Sequence, residues 1–374
     1  MNFNIDFNFT NANTTYLTHS LHPYPAKFPP QLPHTIIKNF APENATILDP
    51  FCGSGTTLVE ARLLGHNAIG VDVNALSILL SKVKATPLTS QEQTLIKSFL
   101  ETLSTENQNW KHTRPSSIVV KQIEGLDHWF QYNVAQELTH ILNLIAQEKN
   151  QNVSNFLKIV LSSIIVRVSN QESDTRLAAK NKNIPDNFTF EAFLSKAQEY
   201  LVRITEYSNK VDNNNTLELY NTDSRNLSII DENSIDMIIT SPPYANTYDY
   251  YLYHKFRKRW LDLDVKFAQY NEIGSRREYS SLKKPASQWT DDLVKCFKEM
   301  YRLLKPNALA FIVIGDSVIK KELIKIDKVI SNFAPNLGFQ ISNIISSDLA
   351  KHSRIFNPSF AKKDKKEHLI ILKK

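Results

Sequence analysis

The chain has 374 residues, of which 42% are apolar and 22% are charged. These values are typical of a globular protein with one large or two modest domains. The chain has two cysteines, Cys52 and Cys296, which argues against a disulfide framework or a zinc site, so no metal is expected. The formal net charge of +6 fits a polyanionic partner.

The N-terminus lacks a basic region followed by an apolar run, which argues against a signal peptide. The most apolar window, Phe156–Val168, is interrupted by Lys158 and Arg167 and is too short to span a bilayer. We therefore expect a cytoplasmic protein with no membrane contact.

A proline-rich segment, His22–Phe28, lies inside an irregular stretch over 1–30. Proline fixes φ, so this segment is stiff. It is either a rigid surface turn or a lid that carries a cation, Lys27, and two rings, Tyr24 and Phe28. The following residues, Gln31–Phe40, are predicted to form a helix.

A buried strand, a glycine turn and a helix are predicted over residues 46–64. Gly53 and Gly55 permit positive φ and close backbone approach. This order opens the nucleotide-binding half of a doubly wound α/β fold. The turn lacks the third spaced glycine of a dinucleotide site and the Gly-Lys-Ser/Thr sequence of a phosphate-binding loop. It better suits a ligand whose amino-acid end meets backbone N–H groups and the hydroxyls of Thr56 and Thr57.

The second predicted strand, Asn67–Asn74, ends near Asp72, where an acidic residue can accept both hydroxyls of a ribose. Together Asp49, Gly53, Gly55 and Asp72 indicate an adenosine site.

Helical spacing recurs through residues 85–215, at about 134–148, 154–168 and 188–208. Between two of these helices, residues 169–183 form a polar loop rich in amide and basic side chains. Such a loop can read base edges or hold phosphates, and it is also what any solvated loop contains.

The α/β pattern resumes with a short strand before Asp223, which is either a partner for an adenine amine or a turn-forming residue. The next strand runs directly into Thr240–Tyr244, with the sequence Thr-Ser-Pro-Pro-Tyr. Two prolines remove two N–H donors, so this strand end presents a hydroxyl, free carbonyls and an aromatic ring in a rigid cluster. The cluster suits a flat group that carries an NH2, although a proline-capped strand before a loop has the same pattern.

Aromatic and basic residues are interleaved over residues 245–260. We expect a helix with Leu252, Phe256 and Trp260 facing the core and a basic face pointing outward toward DNA phosphates. A second basic pair follows in a loop. The DNA-binding candidates are therefore His254, Lys255, Arg257, Lys258, Arg259, Arg276 and Arg277.

The C-terminal part is predicted to contain helices over 288–304 and 324–333 and strands over 308–314, 339–345 and 367–372. The last two strands have no helix between them, which favours an antiparallel pair at a sheet edge. The basic stretch that joins them, Lys351–Lys366, is expected to be mobile.

The segments Asp49–Thr57 and Thr240–Tyr244 resemble the cofactor and catalytic motifs of the DNA amino-methyltransferases. The resemblance implies an α/β, doubly wound, seven-stranded Rossmann-like sheet with an antiparallel last strand. It implies a catalytic domain over 1–84 and 216–374 and a helical insert over 85–215, a possible target-recognition region. It also implies S-adenosyl-L-methionine as cofactor, held by Lys27, Phe28, Asp49, Phe51, Gly53, Gly55, Thr56, Thr57, Asp72 and Asp223.

The residues implied to be catalytic are Ser241, Pro242, Pro243 and Tyr244. Serine in the first of these positions is similar to the cytosine-N4 group, which methylates a cytosine flipped out of double-stranded DNA. Adenine-N6 methylation, methylation of RNA or a protein amide, and a non-catalytic subunit that binds cofactor and DNA stay as alternatives. The resemblance also implies a restriction-modification system, whose endonuclease would be a separate chain.

Overall fold

A computed structural model describes residues 5, 9, 11–113, 118–174, 176–212, 214–320, 322–348 and 365–374. The strands are β1 Thr46–Asp49, β2 Asn67–Val71, β3 Gln171–Ser173, β4 Arg176–Ala179, β5 Leu217–Tyr220, β6 Ile235–Thr240, β7 Leu304–Gly315, β8 Ser317–Ile319, β9 Glu322–Ile324, β10 Gln340–Asp348 and β11 Lys366–Lys373. The helices are α1 Gln31–Phe40, α2 Thr56–Leu63, α3 Ala75–Ala85, α4 Ser90–Thr113, α5 Leu126–Trp129, α6 Tyr132–Gln147, α7 Gln151–Ile164, α8 Phe188–Ser208, α9 Tyr250–Tyr253, α10 Lys255–Trp260, α11 Lys266–Asn271, α12 Arg276–Ser280, α13 Ser287–Leu303 and α14 Ile326–Phe333, with 3-10 turns at Leu17–Ser20 and Pro335–Leu337.

Seven strands form one sheet in the order β10-β11-β7-β6-β1-β2-β5. The strands from β7 to β5 are parallel, whereas β11 is antiparallel to both of its neighbours. The predicted fold class, including the antiparallel last strand, is confirmed. Residues 351–364 of the basic stretch before β11 lie outside the described residues.

The central strands are buried on both faces because helices cover the sheet on each side. Alternate residues therefore enter different cores. Leu48 and Ile238 pack in one core, while Ile47 and Ile239 pack in the other. This two-sided burial explains why β1 and β6 consist almost entirely of apolar residues at their centres.

The strand order reverses at β1, which pairs with β2 on one side and with β6 on the other. In open parallel sheets a crevice forms beyond the carboxyl ends of the strands at such a reversal. The glycine turn that follows β1 and the Thr240–Tyr244 segment that follows β6 both start at this crevice.

The turn after β1 depends on glycine at two positions. Gly53 has φ of 48° and Gly55 has φ of 78°, and Gly55 directly precedes α2. A Cβ atom on Gly55 would lie 2.8 Å from Ser81 Oγ and 3.0 Å from Ser81 Cα, so the turn packs against α3 without space for a side chain.

The helices α4 to α8 and the small β3–β4 sheet occupy the predicted insert. Their apolar side chains do not form a separate core. Phe156 and Phe193 of the insert belong to one cluster with Leu80 of α3 and Trp260 of α10. The insert is thus packed on the elements that flank the crevice. No helix in the described part of the chain is both long and apolar enough to cross a membrane.

We expect Gly55→Ala to destabilise the protein more than Gly65→Ala. Both glycines have φ of 78°, so each alanine incurs the left-handed backbone cost of about 1–2 kcal/mol. Nothing lies within 4 Å of a Cβ on Gly65, whereas Gly55 adds the collision with Ser81. Urea unfolding of the two variants measures the difference, and equal losses would contradict the close packing of the turn.

Candidate active site

A pocket with about 1010 Å³ of open space lies at the carboxyl ends of the parallel strands. All four implied catalytic residues line it. Eight of the ten implied cofactor residues line it as well, namely Lys27, Phe28, Asp49, Phe51, Gly53, Thr56, Asp72 and Asp223. The two motifs therefore meet in one pocket.

The remaining two cofactor candidates lie behind the pocket wall. Gly55 packs on Ser81, and the buried hydroxyl of Thr57 donates a hydrogen bond of 3.3 Å to the Ile239 carbonyl. Neither lines the pocket, so their part is to shape the turn. The Thr57 hydroxyl is thus directed at β6, and the expectation that it meets a ligand stays a prediction.

A buried hydrogen bond connects the two motifs. Thr240 Oγ1 donates to Asp49 Oδ1 over 2.6 Å, and the same carboxylate oxygen accepts the Phe51 N–H at 3.1 Å. Burial raises the pKa of Asp49 to about 6, while these hydrogen bonds act in the opposite direction. The bond fixes the start of the Ser-Pro-Pro-Tyr segment against the glycine turn.

Asp72 is oriented by backbone donors on both sides. Its Oδ2 accepts the Gly53 N–H at 2.9 Å, and its Oδ1 accepts the Asn74 N–H at 2.8 Å. Burial raises the pKa of Asp72 to about 6. Each oxygen keeps a further lone pair, so the carboxylate is suited to accept from a pair of neighbouring hydroxyls such as those of a ribose.

Asp223 also lines the pocket, but its carboxylate already has a charged partner. Arg225 Nη2 lies 2.6 Å from Asp223 Oδ2, and Arg225 Nη1 lies 3.1 Å from Asp292 Oδ1. Asp223 also accepts the Arg225 backbone N–H at 2.9 Å, which is the turn-forming arrangement. Both interpretations of this residue are therefore compatible with its position.

The His22–Phe28 segment lies over the pocket, as the lid interpretation predicts. Tyr24 Oη and Ser77 Oγ are 2.9 Å apart, and the Tyr24 ring stacks on Tyr250 and His254 with centroids 5.6 and 5.1 Å away. The Lys27 ammonium donates to the His19 carbonyl at 2.9 Å. The ammonium thus holds the lid to the preceding 3-10 turn, while Lys27 lines the pocket together with Tyr24 and Phe28.

The Thr240–Tyr244 segment has an uneven hydrogen-bond pattern. Trp289 Nε1 donates to the Pro243 carbonyl at 3.1 Å, whereas no donor among the described residues reaches the Pro242 carbonyl. The Tyr244 hydroxyl donates to Glu367 Oε1 at 2.7 Å. Ser241 and Pro242 thus both line the pocket, and the Pro242 carbonyl is left without a donor among the described residues.

Several lining residues were missed by the sequence analysis, including Tyr248, Tyr250 and Glu272. Glu272 accepts the backbone N–H groups of Tyr250 at 2.8 Å and Tyr251 at 3.0 Å, and burial raises its pKa to about 8. The tyrosine-rich sequence after Tyr244 could have indicated these pocket residues, although its pattern predicted a DNA-facing helix. Nothing in the local sequence marks Glu272.

The predicted outward basic face is wrong for three of its residues. His254, Arg257 and Lys258 are buried because the segment breaks into α9 and α10 and packs against the insert. Arg257 Nε donates to the Ser162 carbonyl of α7 at 3.0 Å, and its Nη2 is paired with Asp174. These three side chains therefore do not form an outward basic face.

The other basic candidates lie nearer the surface. Lys255 and Arg259 are partly exposed and both are ion-paired with Glu124. Arg276 is exposed and Arg277 is half-buried at the start of α12.

A family model described as DNA methylase matches residues 6–82 and 235–374, which is more than half of the chain. The chain belongs to the DNA methylase family. It is a DNA methyltransferase, and S-adenosyl-L-methionine is its cofactor. The match leaves out residues 83–234, which include the whole insert.

Two curated relatives match along most of their length. The Type II methyltransferase M.MvaI of Kocuria varians is 27% identical over 377 residues, covering 86% of this chain and 82% of that protein. The Type II methyltransferase M.MjaII of Methanocaldococcus jannaschii is 24% identical over 395 residues, covering 82% of this chain and 73% of that protein.

Similar solved structures include a SAM-dependent methyltransferase from Methanosarcina mazei, with 13% identity, a TM-score of 0.35 and coverage of 95% of this chain and 99% of that one. Another is TTHA0409 of Thermus thermophilus complexed with S-adenosyl-L-methionine, with 24% identity, a TM-score of 0.26 and coverage of 41% of this chain and 53% of that one. The family assignment rests on the family model and not on these two likenesses.

We expect cofactor affinity to weaken by about tenfold between pH 7.5 and pH 5. The raised pKa of Asp72, about 6, means that the carboxylate becomes protonated in this window and loses acceptor capacity for hydroxyl groups. Asp72→Asn should bind weakly at both pH values. Isothermal titration with S-adenosyl-L-methionine measures the effect, and an equally steep pH dependence in Asp72→Asn would assign it to another group.

Proposed function

We propose that this chain transfers methyl from S-adenosyl-L-methionine to the exocyclic N4 amine of a cytosine that is flipped out of double-stranded DNA. One observation carries the proposal. The Thr-Ser-Pro-Pro-Tyr segment forms the wall of a pocket that it shares with the glycine turn, and the Thr240–Asp49 hydrogen bond fixes the two together.

The cofactor residues divide the pocket into regions. The glycine turn and the lid are proposed to hold the amino-acid end, Asp72 the ribose hydroxyls, and the neighbourhood of Asp223 and Phe51 the adenine. The bound cofactor supplies a methyl group on a sulfonium. The part of the chain is to hold the acceptor amine in line with that methyl, since positioning dominates a direct transfer.

The amine is proposed to donate its two hydrogens to the Ser241 hydroxyl and the Pro242 carbonyl. Trp289 already occupies the Pro243 carbonyl, so of the two proline carbonyls the one at Pro242 is left open in the described structure. These hydrogen bonds orient the nitrogen lone pair away from the protein and toward the methyl group. Tyr244 is proposed to stack on the base.

Serine at the first position of Ser241–Tyr244 favours cytosine as the target base. The same geometry would also serve adenine. The two curated relatives are Type II methyltransferases, which supports a modification enzyme of a restriction-modification system with a separately encoded endonuclease. The expected cytoplasmic location stays a prediction.

DNA is proposed to lie across the pocket mouth. Arg276, at the exposed start of α12, is a candidate phosphate contact together with Arg277, and Lys255 and Arg259 are available if their pairing with Glu124 is exchanged for phosphates. The insert is the candidate for sequence reading, because its strand β4 contacts α9 and carries the exposed Arg176.

We expect Ser241→Ala to lower kcat at least about 100-fold, because the amine loses an oriented acceptor, while cofactor affinity changes less than about twofold. Ser234→Ala is the matched control, since Ser234 lies next to the opposite end of the same strand, where its hydroxyl donates to the Asp231 carbonyl. Transfer of labelled methyl to duplex DNA measures both variants. If Ser241→Ala methylates DNA at the wild-type rate, Ser241 is not the acceptor that orients the amine.

The chemical identity of the methylated nucleoside shows which base the enzyme modifies. Digestion of methylated DNA followed by mass spectrometry should yield N4-methylcytosine, and N6-methyladenine would establish the adenine alternative instead. Label found in RNA or protein but not in DNA would overturn the proposed substrate. DNA binding without transfer would indicate a non-catalytic subunit.

A further inference from the structure

The Tyr244 side chain connects the pocket to a strand far along the chain. Its ring lines the pocket, and its hydroxyl donates to Glu367 Oε1 at 2.7 Å. Glu367 lies near the start of β11, where its backbone is in register with Gly315 of β7 and Ser347 of β10. Pairing on both sides fixes the backbone from which the Glu367 side chain extends.

We propose that Glu367 is a positioning residue for methyl transfer that acts through Tyr244. The proposal rests on the proposed function, in which the Tyr244 ring stacks on the flipped base. A tyrosine that is anchored only at its Cα can rotate about its side-chain bonds. A charge-assisted hydrogen bond at the far end of the ring holds the hydroxyl in place and, because a phenol O–H prefers to lie in the ring plane, also restrains that plane.

The geometry has an electrostatic consequence. Burial and the Glu367 charge raise the pKa of Tyr244, so the phenol keeps its proton and remains a donor to the carboxylate. Donation to an anion enriches the ring in electron density. The negative face of the ring is then better suited to a base that becomes positively charged.

Such a charge arises during the transfer. The amine nitrogen forms a bond to the methyl carbon, the carbon–sulfur bond breaks, and its electron pair stays on sulfur. The nitrogen carries a positive charge until one of its protons leaves to solvent. A fixed, electron-rich ring stacked on the base therefore stabilises this state more than the neutral base, which lowers the barrier.

A double-mutant cycle tests the proposal with wild type, Glu367→Ala, Tyr244→Phe and the double variant. Initial rates of labelled methyl transfer to DNA are measured at saturating cofactor. We expect Glu367→Ala to lower kcat about tenfold with little change in the Kd for S-adenosyl-L-methionine. In the Tyr244→Phe background the same substitution should have almost no further effect, because the hydroxyl is already absent.

Glu367→Gln serves as the conservative variant. Its amide oxygen still accepts the Tyr244 hydroxyl but carries no charge. We therefore expect it to recover the part of the turnover that depends on the fixed ring, and not the part that depends on the anion. Where the alanine variant fails to fold, Glu367→Met keeps the side-chain volume without an acceptor and takes its place in the cycle. Thermal unfolding of each variant establishes that it is folded.

Three outcomes would overturn the inference: an unchanged kcat in Glu367→Ala, an equal loss in both backgrounds, or no recovery in Glu367→Gln. Each of these presupposes a wild-type enzyme that methylates DNA. A wild type without DNA methylation would instead overturn the proposed function, and the inference with it.

Discussion

The hydrogen bond between Thr240 and Asp49 is the contact on which the candidate site depends. It joins the carboxyl ends of β6 and β1, two neighbouring parallel strands whose following segments carry the catalytic and cofactor motifs. Because both side chains are buried, the relative position of the two segments is set by the sheet and not by flexible loops. A reaction that depends on alignment requires such a rigid support for both reactants.

A second layer of contacts closes the pocket from above. Tyr24 of the lid stacks on Tyr250 and His254, which follow the catalytic segment in sequence. Glu272 holds the start of α9 by accepting two backbone N–H groups. The cofactor side and the base side of the pocket are thus roofed by one aromatic cluster, so the arrangement of either side depends on the other.

The sequence was sufficient for features that depend on local pattern. Apolar strands, the glycine turn and the unusual Pro-Pro dipeptide located the sheet and the catalytic segment, and the apolar runs without an intervening helix located the antiparallel edge pair. The sequence was insufficient for predicting the position of a side chain whose partner lies far along the chain. Arg257 looks like a surface cation by composition, yet the Ser162 carbonyl and Asp174 of the insert bury it. Glu272 and Glu367 owe their positions to tertiary contacts that no local pattern encodes.

The anchoring of the lid bears on how the insert can be exchanged for another. The His22 backbone N–H donates to Tyr200 Oη at 2.7 Å, and His22 Nε2 lies 2.8 Å from Ser162 Oγ. Both partners belong to helices of the insert. A chimera that received a foreign insert would therefore lose the support of its own lid unless equivalents of Tyr200 and Ser162 came with it. Exchange of the insert is therefore constrained at these two positions, whereas an exposed residue such as Arg176 of β4 can vary without loss of this support.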